Sequence, residues 1–215
     1  MTLQPLYVAS ATVTSGREGF GETSDGKRLV HPMDQPDSTQ FIDRLGSPKL
    51  PQASISIHHT FEPGDLGQLI LIHGVQNFRD YGFNAVHEAY CAKIAADFIL
   101  STASDRSKFW LAKQKGIVVG SVFIFEQPEN QAQLRLLFVD ASVRGGGLGR
   151  WLVEESVRYC RTAGFRTVFL WTVRGIDRAI SIYSSLGFKE AEVKKTFAWG
   201  RESVEVRCEL AIGDQ

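Results

Sequence analysis

Apolar and polar positions alternate strictly over Ser54-Ile55-Ser56-Ile57-His58, the period-two signature of a strand with one buried face. The rhythm then changes. Pro63-Gly64-Asp65 starts a helix with Leu66, Leu69, Ile70 and His73 at helical spacing. Asn84 caps a second helix, in which Val86, Tyr90, Ile94 and Phe98 stand four residues apart. Phe109-Trp110-Leu111-Ala112, a Gln114-Lys115-Gly116 turn and residues 117–125 predict a hairpin whose second strand is almost continuously apolar, as a central strand is. Residues 126–130 turn into a further strand, apolar over residues 136–139. Leu152, Val153, Val157 and Cys160 then form the stripe of a helix that Gly164 ends. Residues 167–172 predict a strand and residues 177–186 a short helix stopped by Gly187. Phe188 opens the next strand, and Val204, Val206, Cys208, Leu210 and Ile212 alternate in the last, beyond a turn at Trp199-Gly200-Arg201. The predicted order is strand, two helices, three strands, helix, strand, helix, two strands.

The chemistry concentrates where the strand ending Leu136-Leu137-Phe138-Val139 runs into Asp140-Ala141-Ser142-Val143-Arg144-Gly145-Gly146-Gly147-Leu148-Gly149-Arg150. Four glycines in five positions leave backbone N–H groups uncovered at the start of a helix, where they share the positive end of the helix dipole. A phosphate or pyrophosphate suits such a place, and Arg144 would add a guanidinium to the same anion. No Lys-Ser or Lys-Thr follows, so this is not a P-loop. A dinucleotide fold would place an acidic residue about 20 residues beyond its glycines; here Trp171 and Thr172 end the next strand instead.

The 215 residues suffice for one ordinary domain and an appendage. Hydrophobic residues at 43% and charged residues at 22% are usual for a soluble globular protein. A formal net charge of zero gives no general attraction to nucleic acid or to an anionic membrane. No apolar run reaches the roughly 18 residues of a membrane span, and the N-terminus lacks the basic-then-apolar pattern of a secretory signal. Cys91, Cys160 and Cys208 stand singly on apolar faces, without metal-ligand spacing, which fits buried thiols in a reducing, cytoplasmic compartment. His58 and His59 point to opposite faces of their strand and are expected at the surface rather than on one metal ion. No metal is expected.

Arg144, Gly147 and Gly149 spell Arg-x-x-Gly-x-Gly, which resembles the coenzyme A pyrophosphate loop of the GNAT superfamily of N-acetyltransferases. Ala179-x-x-x-Tyr183-x-x-x-Gly187-Phe188 resembles the second GNAT pattern, and the element order is the order of that fold. The resemblance implies an α/β (α+β) acyl-CoA N-acyltransferase fold, a central mixed, mostly antiparallel sheet flanked by helices, over residues 53–215. It implies acetyl-CoA as co-substrate, with a small-molecule or peptide amine as acceptor, no nucleic acid and no membrane; a homodimer is compatible with it. In that pose Leu137, Phe138 and Val139 hold pantetheine where the strand bulges, and their N–H groups polarise the acetyl carbonyl. Arg144, Gly145, Gly146, Gly147, Leu148, Gly149 and Arg150 hold the pyrophosphate. Tyr183 protonates the leaving sulfur, since a phenol of pKa near 10 keeps its proton at pH 7.

The general base is not settled by the sequence. Many members of the superfamily place a glutamate on the central strand, where this chain has Gln133 and Arg135. Glu88, Glu126, His73, Asp140 or a chain of waters are the alternatives. Ile176 stands where an asparagine often precedes the motif alanine by three residues. The missing glutamate also admits a second class of function, a non-catalytic acyl-CoA-binding or interaction module.

Two narrower resemblances complete the reading. Gly64-Asp65-Leu66-Gly67, His73-Gly74, Tyr81-Gly82-Phe83, Glu88, Ala95-Ala96-Asp97-Phe98, Leu134-Arg135-Leu136-Leu137 and Leu170-Trp171-Thr172 resemble the acetyltransferase half of bacterial proteins fused to a MarR-type winged helix, over about residues 60–212. The residues ahead of this segment are expected to be too few to build the DNA-binding half. Residues 6–19, with Ser24-Asp25-Gly26, resemble the opening hairpin of organic hydroperoxide resistance (OsmC-like) proteins. Those reduce peroxides with two cysteines in helical segments, a context none of the three cysteines here occupies. Residues 1–52 are therefore expected to be a polar extension, hairpin or disordered, that has too few large apolar residues to form a core.

Overall fold

The computed structural model of the chain describes residues 21–22, 28–29, 54–100 and 104–213. The chain divides into two units, residues 1–40 and 41–215. In the first, β1 (Gly21–Glu22) pairs antiparallel with β2 (Arg28–Leu29), Gly21 opposite Leu29. The rest of the expected extension over residues 1–52 lies outside the described residues.

The second unit carries β3 (Ile55–His58), α1 (Asp65–Tyr81), α2 (Ala85–Leu100), β4 (Lys108–Gln114), β5 (Ile117–Gln127) and β6 (Gln131–Val139). After a 3-10 turn at Ala141–Val143 come α3 (Leu148–Thr162), β7 (Thr167–Val173), α4 (Asp177–Ser185), β8 (Lys189–Ala198) and β9 (Arg201–Ala211). This is the predicted order. The strands form one seven-stranded sheet, β3-β4-β5-β6-β7-β9-β8. Only β6 and β7 run parallel, and α3 is the crossover between them.

Period-two alternation sorts the core onto two faces. On β4, Phe109 and Leu111 pack with Leu69 of α1 and Ala95 of α2. Trp110 and Ala112 point the other way, into the larger cluster with Leu148, Leu152 and Val153 of α3 and Tyr183 of α4. Phe98 of α2 stands edge-on to Phe109, Phe123 and Phe125 at 5.6, 5.1 and 5.1 Å, the geometry aromatic quadrupoles favour. The start of α1 is fixed by Asp65, whose carboxylate accepts from the Glu62 N–H at 2.8 Å and pairs with Lys113 of β4 at 2.8 Å.

The face of α2 departs from the four-residue rhythm read in the sequence. Val86 and Tyr90 are exposed, and the buried positions are His87, Cys91, Ile94 and Ala95. The helix has apolar residues on most of its sides, so periodicity alone does not choose the face. Packing does.

The feature that shapes the middle of the sheet is an irregularity in β6. Ser121 of β5 lies opposite Phe138 and Phe123 lies opposite Arg135, so two steps along β5 answer three along β6. Leu136 takes the extra step with φ +49°, a conformation that costs a branched side chain of order 1–3 kcal/mol. The fully buried Ser121 hydroxyl donates to the Leu136 carbonyl oxygen at 2.7 Å and holds the kink. Beyond it β6 and β7 separate: their pairing is confined to Gln131–Gln133 against Thr167–Phe169. Ser121→Ala should lower the unfolding free energy by about 1–3 kcal/mol in urea denaturation, because the Leu136 carbonyl loses its partner in a buried place. An unchanged midpoint would mean that the kink is held by something else.

Candidate active site

Where β6 and β7 part, they leave backbone polar groups that no strand covers. A cavity of about 480 Å³ opens there, between Leu134–Val139 on one side and Leu170–Val173 on the other. The glycine loop forms its next wall. Gly145 and Gly147 have φ near +83° and +82°, the left-handed conformation in which glycine is at ease. Gly147 is the residue from which α3 starts, and it has no capping side chain. The first-turn N–H groups of α3 therefore face outward without intrahelical acceptors. Gly149 permits a close approach: a Cβ there would lie 3.3 Å from both the Val139 and the Ile182 side chains. Of the loop residues named from the sequence, Arg144, Gly145, Gly147, Leu148, Gly149 and Arg150 border the cavity, and Gly146 does not. Leu137, Phe138 and Val139 border it from β6.

Arg144 is committed differently from the expectation that it would face an anion. Its guanidinium donates to Asp80 at 2.7 Å, to Gln76 at 2.6 Å and to the Val139 carbonyl at 3.0 Å. It ties the loop to α1 and to the end of β6. Arg150 is drawn to Glu154 at 2.7 Å and to the Ser185 hydroxyl at 3.0 Å.

Tyr183 borders the same cavity from α4, buried to 6% exposure, with its ring 5.7 Å from that of Phe188. Burial pushes its phenol above the ordinary tyrosine range, so it stays protonated throughout the neutral range.

The carboxylates considered as bases are elsewhere. Glu88 is exposed on α2, with its carboxylate over Gly74 of α1. Glu126 sits near the far end of β5, held by Arg106 at 2.8 Å and by the Ser104 hydroxyl. Asp140 caps the 3-10 turn through Ser142 and accepts from Gln76 at 2.6 Å. None of the three borders the cavity, and neither does any other Asp or Glu among the described residues. A residue's chemistry can be read from one letter, but its position beside a cavity depends on which helix face is buried.

The cavity does contain two histidines, His73 of α1 and His87 of α2. Cys91 Sγ lies 3.8 Å from His73 Nδ1 and 3.8 Å from His87 Nε2. Burial, with His87 adding to it, holds His73 down to about 3, and burial holds His87 down to about 4. Both are neutral imidazoles at pH 7. Burial pushes the Cys91 thiol up to about 12, so it is no nucleophile. Among the described residues no group of His, Cys, Asp or Glu is arranged to hold a metal ion. His59 is half-buried rather than at the surface and bonds through Nδ1 to the Phe109 carbonyl at 2.8 Å, away from the cavity.

The remaining wall comes from the α1–α2 connection, α2 and the β8–β9 turn. Trp199, in the β8–β9 turn, lies 4.8 Å from the Phe83 ring, 4.7 Å from His87 and 6.1 Å from Tyr90. Its carbonyl accepts from the Asn84 N–H at 3.1 Å, and Arg201 donates to the Tyr81 carbonyl at 2.7 Å. These bonds fasten the hairpin turn to the α1–α2 connection. The one signal for this in the sequence was an aromatic residue inside a turn.

The family model of the acetyltransferase (GNAT) family matches residues 75–188, more than half of the chain and the part that holds the parallel pair, the glycine loop and Tyr183. N-acetyltransferase 8 of Rattus norvegicus is 35% identical over 101 residues, which cover 44% of this chain and 46% of that protein. The chain thus spans about half the length of that relative. The ribosomal-protein-S18-alanine N-acetyltransferase of Escherichia coli superposes with a TM-score of 0.58 at 21% identity, over 75% of this chain and 96% of that one. A Salmonella typhimurium protein solved with its cofactor acetyl-CoA superposes with a TM-score of 0.57 at 16% identity, again over 75% and 96%. At these identities the superpositions speak for the fold. With the matched segment running through both motifs and every wall of the cavity but the last hairpin, the chain belongs to the acetyltransferase (GNAT) family.

Proposed function

We propose that the chain is an acetyl-CoA-dependent N-acetyltransferase that passes the acetyl group directly to a small-molecule or peptide amine. The observation that carries this is the parting of the parallel strands opposite a helix N-terminus, with a buried tyrosine in the same cavity. An extended polar arm can use the backbone groups of Leu137–Val139 that β7 leaves unpaired. A pyrophosphate suits the N–H groups of the loop from Gly145 to Arg150, where a Cβ at Gly145 would meet nothing within 4 Å. The residues therefore fit the co-substrate.

Bound acetyl-CoA supplies an acetyl carbonyl activated as a thioester; the amine nitrogen bonds to that carbon, the C–S bond breaks, and the thiol leaves with a proton. The chain's part is to orient and to manage protons. The unpaired N–H groups of β6 polarise the carbonyl oxygen. Tyr183 holds a proton at Oη for the departing sulfur, and its raised pKa keeps that proton available at any working pH. With no described carboxylate beside the cavity, and with His73 and His87 held by burial too weakly basic to keep an amine's proton, the amine enters already deprotonated and its proton goes to water. The same lack of a carboxylate favours, as the second reading, a module that binds acyl-CoA without turning it over.

Calorimetric titration should show acetyl-CoA binding, and Gly147→Glu should abolish it by placing a carboxylate and a strained side chain in the phosphate site. Unaltered affinity would remove the loop from the site. Tyr183→Phe should reduce kcat about 10²- to 10⁴-fold with little change in acetyl-CoA affinity; equal turnover would make Tyr183 a core residue. The pH profile tests the proton route. Because His73 and His87 stay neutral down to about 3 and 4, kcat/KM should climb from pH 6 toward the pKa of the amine with no inflection near 6.5. A plateau above an inflection at pH 6–7.5 would instead assign the proton to a base of ordinary histidine strength, His73 or His87 included.

A further inference from the structure

One guanidinium beside the cavity forms no ion pair with any carboxylate of the described residues. Among the described residues four arginines border the cavity and no Asp or Glu does. Arg144 and Arg150 are paired with Asp80 and Glu154, and Arg178 is exposed on the first turn of α4. Arg135 is different. It is half-buried on β6, its guanidinium donates to the Tyr90 hydroxyl at 2.6 Å, and it stands 5.5 Å from the ring centres of Tyr90 and of Phe125. No described carboxylate pairs with it. A guanidinium so placed gives up water on one side and keeps unused donors in a planar fork, the shape that takes a carboxylate bidentately. Tyr90 connects it to Trp199, and Trp199 to Phe83, so an aromatic wall begins where the charge ends.

Building on the acetyltransferase reading, we infer that the acceptor is a free α-amino acid with an apolar or aromatic side chain, its carboxylate received by Arg135 and its side chain by Tyr90, Trp199 and Phe83. Each property of the cavity selects in the same direction. A polyamine or aminoglycoside would bring several positive charges to a cavity that holds arginines and no acid, and is repelled. A simple apolar amine would leave the Arg135 fork without an acceptor. A protein N-terminus carries its carboxylate at the far end of the chain, out of reach of a guanidinium beside the attacking nitrogen. The volume agrees: about 480 Å³, shared with a pantetheine arm, leaves room for a body the size of one amino acid.

The experiment compares four pairs with acetyl-CoA: phenylalanine against phenethylamine, tyrosine against tyramine, tryptophan against tryptamine and leucine against isoamylamine, with spermidine beside them. The amino acids should exceed their decarboxylated partners in kcat/KM by about ten- to a hundredfold at equal concentration of free amine. In Arg135→Gln that ratio should fall toward one, through KM, and Arg135→Lys should keep part of it. Titration of the CoA-loaded protein with N-acetylphenylalanine and with N-acetylphenethylamine should give the same ratio without turnover. Acetyl-CoA titration of each variant shows that it is folded. Equal use of the members of each pair, a preference that survives Arg135→Gln, acetylation of spermidine alone, or no acetylation of any amino acid by protein that binds acetyl-CoA would each overturn the inference. Failure to bind acetyl-CoA at all would instead sink the acetyltransferase reading, and the titration separates the two.

Discussion

Two neighbouring strands that stop pairing after three residues are the constraint on which the rest of the structure depends. β6 and β7 are parallel, so they need a crossover, and α3 supplies it. Had they stayed in register to their ends, their N–H and C=O groups would have satisfied each other and the sheet would have closed. The extra residue at Leu136 turns β6 away, and the buried Ser121 hydroxyl compensates the carbonyl left behind. Everything the site requires follows from that separation: unpaired backbone on β6, room beside it, and the start of α3 aimed across the gap. The local strain is offset by the packing of Trp110, Leu148, Leu152 and Val153, all nearly inaccessible, where each buried side chain contributes roughly 1.5–3 kcal/mol.

The electrostatics of the cavity follow from what borders it. Histidines forced into apolar surroundings lose their charge, tyrosine keeps its proton, and the thiol between the histidines is silenced. Arginine alone resists neutralisation, because its intrinsic pKa lies too high for burial to overcome. The outcome is a chamber whose fixed charge is positive while its proton carriers are neutral.

The backbone architecture was legible in the sequence to a far greater degree than the chemistry of the acceptor side. Alternation in residues 54–58, the glycine stops at Gly164 and Gly187 and the Arg144-to-Gly149 motif each report on their own neighbourhood, and local signals are what a sequence carries. The helix α2 shows where this ends. With Val86, Tyr90, Cys91, Ile94 and Phe98 all apolar or amphipathic, several faces were equally good candidates, and the choice was made by α1 and by a hairpin turn more than 100 residues later. Glu88 was lost as a base for that reason, being on the face that packing turned outward, while His87 was turned in. Arg135 was visible only as the absence of the glutamate expected there. Its surroundings, the Tyr90 hydroxyl and the rings of Tyr90 and Phe125, are facts of three-dimensional proximity.

The fastening of the β8–β9 turn to the α1–α2 connection has a consequence for how such a protein can change. Asn84 and Tyr81 hold the hairpin by backbone groups, through bonds to Trp199 and from Arg201. That wall of the cavity is thus made of two short loops joined by a latch that uses only backbone groups on the α1–α2 side. The machinery around β6, β7 and the glycine loop does not share those contacts. Side chains on those two loops can therefore be exchanged while the latch, the parting of β6 from β7 and the glycine loop stay as they are.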